Sequence, residues 1–151
     1  MNEATHRSAA DRERMAQAVA REMSARDAAA RSLGMEIESV APGRARISMT
    51  VRADMLNGFA ICHGGFITTL ADTAFAYACN SHNELTVAAG IVVDFLVPAH
   101  AGERLTADAR EVAVKGRTGV YDIAVTNQDN KTVALMRGRS FTQKGKHVVA
   151  P

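Results

Sequence analysis

Apolar and polar positions along this 151-residue chain change their period several times. Over residues 9–32, Met15, Val19 and Met23 recur at i, i+4 and i+8 in a background of Ala, Arg and Glu, which predicts a helix with a thin apolar stripe. Gly34 stands where a helix C-terminal glycine belongs. In MEIESVAPGRARISMTV, Ala45, Ile47, Met49 and Val51 alternate with Arg46, Ser48 and Thr50, the period of a strand, and the APG between the two apolar runs predicts a hairpin. The segment NGFAICHGGFITTLADTAFAYACN reads as a loop up to Gly65 and an apolar helix from there to Asn80. Beyond it the chain reads as strands. LTVAAGIVVDFLVPA puts Ile91, Val93, Phe95 and Val97 on one face until Pro98 ends the run. RLTADAREVAV, TGVYDIAVTN and KTVALMRGRSFT follow, separated by the turns KGRTG and NQDNK, so the four runs read as a meander.

These elements add up to an α+β domain: an antiparallel sheet of five or six strands, one long central helix against it, and an extra N-terminal helix. No βαβ alternation is present, which excludes a doubly wound parallel sheet. The strand around Val92 and Leu96 is apolar on both faces and reads as central, so something else must cover the far side or edge. A second copy of the chain is the simplest cover. The divisions are a helical extension over 1–32, the main domain over 33–145 and a tail over 146–151.

Composition narrows the classes further. Apolar residues make up 47% of the chain, enough for a core, and the net charge of +2 gives no case for a nucleic-acid partner. The run from Lys131 to Lys146 is basic without acids, a local feature. No run approaches the roughly 18 apolar residues of a membrane span, and MNEATHRSAADRER has no apolar h-region. Cys62 and Cys79 flank the helix, too far apart for a disulfide, so the chain reads as a reduced, cytoplasmic protein.

Asp72 is the odd residue of the apolar helix. At about 100° per residue, Phe66, Ile67, Leu70, Ala71, Ala74 and Ala78 form the core-facing arc, with Phe75 at its edge, and Asp72 points roughly 140° away. Around it lie Gly65, Thr68, Thr69, Ala76 and Cys79, all small, and no Lys or Arg sits at i±3 or i±4. An Asp on a helix is usually a solvated surface residue, but small neighbours fit close approach by a ligand or a second helix better than a wet surface. The helix opens on Gly64 and Gly65. Such glycines often serve only a tight turn, yet they also leave bare N–H donors for a negative oxygen. A donor corner and an unpaired carboxylate are the two halves of an acyl-transfer site. Eight residues separate Gly64 from Asp72, roughly 12 Å along a helix, whereas reacting groups need about 3 Å. Two antiparallel helices from two chains would bring the glycine corner of one to the acid of the other.

These residues carry a family resemblance. Asn57, five residues, His63-Gly64-Gly65, then Asp72 nine positions after the His in LADTAFAYACN, resembles the hotdog-fold acyl-CoA thioesterases, most closely their PaaI type of phenylacetate catabolism. The likeness extends through VDFLVPAHAGERLTADA and GRTGVYDIAVTNQDNKTVALMRGRS, about residues 33–142. It implies a hotdog homodimer, usually paired into a tetramer, that hydrolyses acyl-CoA thioesters, with aryl- or arylacetyl-CoA (phenylacetyl or hydroxyphenylacetyl) as substrates. It implies no cofactor beyond the coenzyme A of the substrate itself. By position, Asp72 matches the catalytic base or nucleophile and Gly64 the donor to the thioester oxygen. His63 and Asn57 match the residues that orient that corner and the leaving sulfur, and Gly65 and Thr73 stand beside the substrate. Some relatives carry a Ser on the strand after the helix to hold water. The matching place aligns with Val92, and whether Thr73, beside the acid, substitutes for that Ser is left open, as is the choice between nucleophile and general base.

Other candidates fall away or stay secondary. Cys62 beside His63 suggests a nucleophilic pair, but adjacent residues rarely face each other. His6, His82, His100 and His147 are scattered without metal-ligand spacing, so no metal site is expected. A hotdog hydratase needs a different His/acid arrangement. Lys115 and Arg117 in the KGRTG turn, with Arg137 and Arg139, could meet coenzyme A phosphates or be solvated charges. A non-catalytic acyl-CoA-binding protein is the alternative to an enzyme, and it gains nothing from an unpaired acid beside a thioester.

Overall fold

The computed structural model describes residues 8–151. Helix α1 spans Ala9–Arg26 and opens on a capping box: Ser8 Oγ accepts from the Asp11 N–H, and the Ser8 N–H donates back to the Asp11 carboxylate. The single helix expected over residues 9–32 is broken at Asp27. Asp27 ends α1 and caps the short α2, Ala28–Ser32, by accepting from the Ala30 N–H at 2.9 Å. Its other carboxylate oxygen accepts from Tyr77 Oη, which ties the break to the central helix. The buried stripe of α1 runs through Ala16 and Val19, with Met23 half-buried beside them. Residues 1–7 of the expected extension, and with them His6, lie outside the described residues.

The hairpin is borne out as β1 (Glu36–Ala41) and β2 (Arg44–Thr50), turning at Gly43 with φ +70°. Helix α3 spans Gly64–Asn80. The remaining strands are β3 (Thr86–Phe95), β4 (Arg104–Lys115), β5 (Thr118–Thr126) and β6 (Thr132–Thr142). All six pair antiparallel in the order β1-β2-β4-β5-β6-β3. The four-strand meander is therefore corrected to three strands, β4–β5–β6. Residues 96–103 carry the chain away from β3, which joins the sheet at its far edge beside β6. Strand β3 is accordingly an edge strand, not a central one, and it stops at Phe95, before Val97 and Pro98.

The sheet wraps α3. Phe75 packs on Tyr121 with ring centroids 5.3 Å apart, and a Cβ placed on Gly138 would meet the Phe75 ring at 2.8 Å, so the helix lies close against β6. Ile67, Leu70, Ala71, Ala74, Phe75, Tyr77 and Ala78 join Ile47, Met49, Leu105, Ile123 and Val125 in one core. The outer face of the sheet is laced with charge pairs, among them Arg46 with Glu38 and Asp108, and Arg137 with both carboxylate oxygens of Asp122 at 2.7 and 3.0 Å. Past β6 the chain returns to the α3–β3 junction, where buried Asn83, at φ +62°, accepts from the Val148 and Val149 N–H groups. No helix among the described residues is long and apolar enough to cross a membrane.

Candidate active site

The loop before α3 is built by hydrogen bonds from its own residues. Asn57 N–H donates to Ile61 O at 2.8 Å, and Asn57 Oδ1 accepts from the Phe59 N–H at 2.9 Å, holding Ala60 at φ +58°. These bonds use the Asn57 backbone N–H and Oδ1, and the side-chain NH2 has no partner among the described residues. The Cys62 N–H donates to Ala99 O and the His63 N–H to Met55 O, which pins the entry to the helix. His63 then caps α3. Its Nδ1 accepts from the Gly65 N–H at 2.9 Å. In that bond Nδ1 is unprotonated, so neutral His63 carries its proton on Nε2.

This answers why the helix opens on two glycines. Neither has a positive φ, so backbone conformation demands neither of them. A Cβ on Gly65 would sit 3.1 Å from His63 Nδ1, and a Cβ on Gly64 would sit 2.9 Å from Phe95 Cζ. Gly65 makes room for the cap, and Gly64 for an aromatic ring. The two donors also differ. The Gly65 N–H is taken by His63, whereas the Gly64 N–H has no partner among the described residues. It is the free donor at the positive end of the helix.

Asp72 lies eight residues on, in the same unbroken helix, so roughly 12 Å separates it from Gly64. It is half-buried and has no hydrogen bond or ion pair among the described residues. Burial alone holds its carboxyl above the usual carboxylate range. Thr68, Thr69, Thr73 and Ala76 around it are half-buried, a strip of α3 that the chain's own sheet leaves open. Cys79, expected on that strip, is buried instead, because the far end of the helix is enclosed on all sides. The Thr73 hydroxyl donates to Thr69 O at 2.7 Å, so its proton is turned away from the acid.

Beside Gly64 opens a cleft of about 520 Å³, lined by Asn57, Ile61, Cys62, Ile67, Phe95, Leu96, Val97 and Pro98. Asn57 is its only strongly polar side chain. Phe95, Leu96 and Val97 were legible only as strand residues; the signal for their role is a glycine at position 64 whose φ does not require one. Val92 does not stand beside the acid. It pairs with Arg137 in the ladder and lies with Asp94 and Asp122 on the sheet face away from the helix.

The other candidates are not brought together. Burial raises the Cys62 thiol, whose sulfur lies against the backbone carbonyl of His63 rather than its ring, so no Cys/His pair exists. His82 pairs with Glu111 at 2.7 Å and His147 with Asn83 O, and no group of three metal-ligating side chains occurs among the described residues. Lys115 ends β4, and Arg117 sits in the tight turn after Gly116, at φ +65°; both are exposed. Arg137 is exposed and paired with Asp122, so a phosphate would compete with that carboxylate for it.

Comparison with protein families matches residues 59–134 to the Thioesterase superfamily. The chain belongs to that superfamily. It is 54% identical over 114 residues to the acyl-coenzyme A thioesterase PaaI of Escherichia coli, covering 76% of this chain and 81% of that one. The solved structure of E. coli PaaI, from the phenylacetic acid degradation operon, superposes with a TM-score of 0.87 at 48% identity, covering 89% of this chain and 97% of that one. A Streptococcus mutans protein solved bound to acetyl CoA matches with a TM-score of 0.71 at 27% identity over 74% of this chain and 90% of its own. The PaaI-type hotdog thioesterase expected from the residues is borne out, and so is its class as a thioester hydrolase.

Proposed function

We propose that this thioesterase hydrolyses aryl- or arylacetyl-CoA to the free acid and coenzyme A at two sites shared across a homodimer. The observation that carries the reading is one helix holding, among the described residues, a partnerless carboxylate at Asp72 and a partnerless N–H at Gly64, too far apart to serve one carbonyl. In each site the thioester oxygen accepts from the Gly64 N–H at the helix N-terminus of one chain, and the partner subunit's Asp72 supplies the carboxylate. Negative charge developing on the oxygen is stabilised there, an effect of roughly 3–4 kcal/mol for one such donor. Asp72, its carboxyl raised by burial, works by one of two routes: it takes a proton from water as the water oxygen bonds to the carbonyl carbon, or its own oxygen bonds there to give an acyl anhydride that water then cleaves; in both, the C–S bond breaks, the thiolate leaves and the free acid is released. The Nε2–H of His63, which does not line the cleft beside Gly64, is the donor that receives the sulfur, and the side-chain NH2 of Asn57, without a partner among the described residues, steadies the corner. Gly65 holds His63 in place, and Thr73 borders the acyl path.

The arylacetyl preference follows from the likeness to the phenylacetic acid degradation protein and from the apolar cleft beside Gly64. Exposed Lys115 and Arg117 are the cations for the coenzyme A phosphates. The dimer forms along β3, a ten-residue edge strand with Ile91 and Val92 exposed and Asp94 as its one charge. Such an edge is a template for pairing. Two dimers then pair into the cytoplasmic tetramer the resemblance implies. The test is thiol release from phenylacetyl-CoA. Wild type turns over, and Asp72→Asn loses about 10²–10⁴-fold in kcat. Equal rates in the two proteins would remove Asp72 from the chemistry.

A further inference from the structure

The cleft beside Gly64 contains a residue to which nothing above gives a chemical role. Phe95 is the last residue of β3 and pairs with Ala134. The next N–H, of Leu96, donates to Val133 O at 2.9 Å, so the strand end is fixed from its neighbour. The far edge of the ring reaches Gly64. A Cβ placed there would lie 2.9 Å from Cζ, 3.2 Å from Cε1 and 3.3 Å from Cε2, so the ring occupies the volume that any other residue at 64 would need. The opposite side of the ring is open, leaving Phe95 53% exposed and facing the cleft. A large aromatic side chain that gives up burial to stand on a glycine whose backbone needs no glycine is placed for something outside its own core.

We infer that Phe95 is a specificity-determining residue: its ring is the wall against which the α-carbon of the acyl group rests when the thioester oxygen is on the Gly64 N–H. This rests on the thioesterase reading above and deepens it. A carbonyl oxygen about 3 Å from that N–H places its carbon within one bond of the ring's neighbourhood. Its two substituents, the α-carbon and the sulfur, must then leave in different directions. The cleft that contains Phe95 offers Ile61, Ile67, Leu96, Val97 and Pro98, and only Asn57 as a polar partner. The pantetheine arm carries two amides that need partners, and an apolar acyl group needs none, so the acyl group takes this side. The ring leaves room for an unbranched CH2 next to the carbonyl and crowds a second carbon there. Selection is therefore for acyl groups with no branch at the α-carbon, which narrows the aryl- or arylacetyl-CoA reading above to its arylacetyl half, since the ring carbon next to the carbonyl of an aroyl group is itself branched.

The experiment compares kcat/KM for phenylacetyl-CoA and for 2-phenylpropanoyl-CoA, which differ by one α-methyl, in wild type, Phe95→Ala and Phe95→Tyr. Wild type prefers the unbranched substrate. Phe95→Ala raises the branched-to-unbranched ratio by about 10-fold or more, the scale of one methyl in a fitted pocket. Phe95→Tyr keeps the wild-type ratio. A Phe95→Ala enzyme, folded by its thermal transition, that loses activity on both substrates alike would overturn the proposal, because a purely structural ring moves both together. A second arm uses Gly64→Ala, which keeps the N–H and pushes the ring aside. Gly64→Ala combined with Phe95→Ala is expected to show the ratio of Phe95→Ala alone, and ratios that multiply would place the two residues on separate determinants and overturn it as well. Wild type that releases no thiol from any acyl-CoA would sink the thioesterase reading itself, an outcome told apart by the absence of any rate to compare.

Discussion

Asp72 is where folding and chemistry pull apart. Its carboxyl is held above the ordinary carboxylate range by burial, with no cation to repay the desolvation. The folded protein therefore binds this proton more tightly than the unfolded chain does. Folding has that advantage at pH below the unfolded value and loses it as pH climbs through the raised one. Asp72→Asn should accordingly raise the thermal midpoint at pH 7–8, by on the order of a few degrees for a chain of this size, and the gain should shrink toward pH 4. Differential scanning at the two pH values checks this, and an equal gain at both would contradict it. In the proposed mechanism the same shift puts the acid limb of kcat at higher pH than a free carboxylate would give. His63 makes the opposite contribution. His63→Ala removes the cap of α3, expected to cost about 1 kcal/mol and to lower the midpoint by roughly 2–4 °C. The sequence made both residues visible, Asp72 by its small neighbours and His63 by its place before two glycines. It could not show that His63 caps the helix, because His is an uncommon cap and the bond depends on the rotamer that brings Nδ1 to the Gly65 N–H.

Helix α3 and the hairpin β1–β2 were legible because their signals are local: a 3.6-residue apolar period, a two-residue alternation, and glycine or proline at each turn. The placing of β3 was not. Strands adjacent in sequence usually pair, and LTVAAGIVVDFLVPA reads the same whether it lies in the middle of a sheet or at its edge. Only the pairing with β6 decides it. The edge position changes what its apolar residues imply: in the proposed dimer they meet a neighbouring strand rather than a covering layer. A charge there should keep the edge single. Ile91→Lys is expected to halve the mass seen by sedimentation equilibrium and to remove thiol release with it. A variant that still sediments as the wild type would show that assembly does not use this strand. The break at Asp27 escaped notice for a related reason. In an Ala- and Arg-rich stretch an Asp looks like one more exposed residue, and only the distant Tyr77 hydroxyl marks the corner.

At the scale of the molecule, each chain of the proposed dimer holds one half of each site. Mixed chains therefore make a sharper test than any single variant. Asp72→Asn and Gly64→Pro, each inactive alone, should recover roughly a quarter of wild-type turnover on random mixing, since half the dimers are mixed and each mixed dimer keeps one of two sites intact. Mixed dimers demonstrated by mass but without turnover would place both groups in one chain's site. That one chain cannot bring both groups to one carbonyl could be read from a spacing of eight residues. Where the apolar cleft beside Gly64 lies could not, because it joins a strand end to a loop some thirty residues upstream.

The pairing of His63 with Gly65 also constrains how such a sequence can drift. A side chain gained at 65 puts its Cβ 3.1 Å from His63 Nδ1, so the imidazole must shift by a few tenths of an ångström and the cap is strained. A histidine lost at 63 leaves a glycine behind with no purpose but its entropy cost. Neither neighbour can change first without a penalty, and the two positions should therefore be inherited as one unit: descendants keep both or replace both, and lineages caught halfway should be rare.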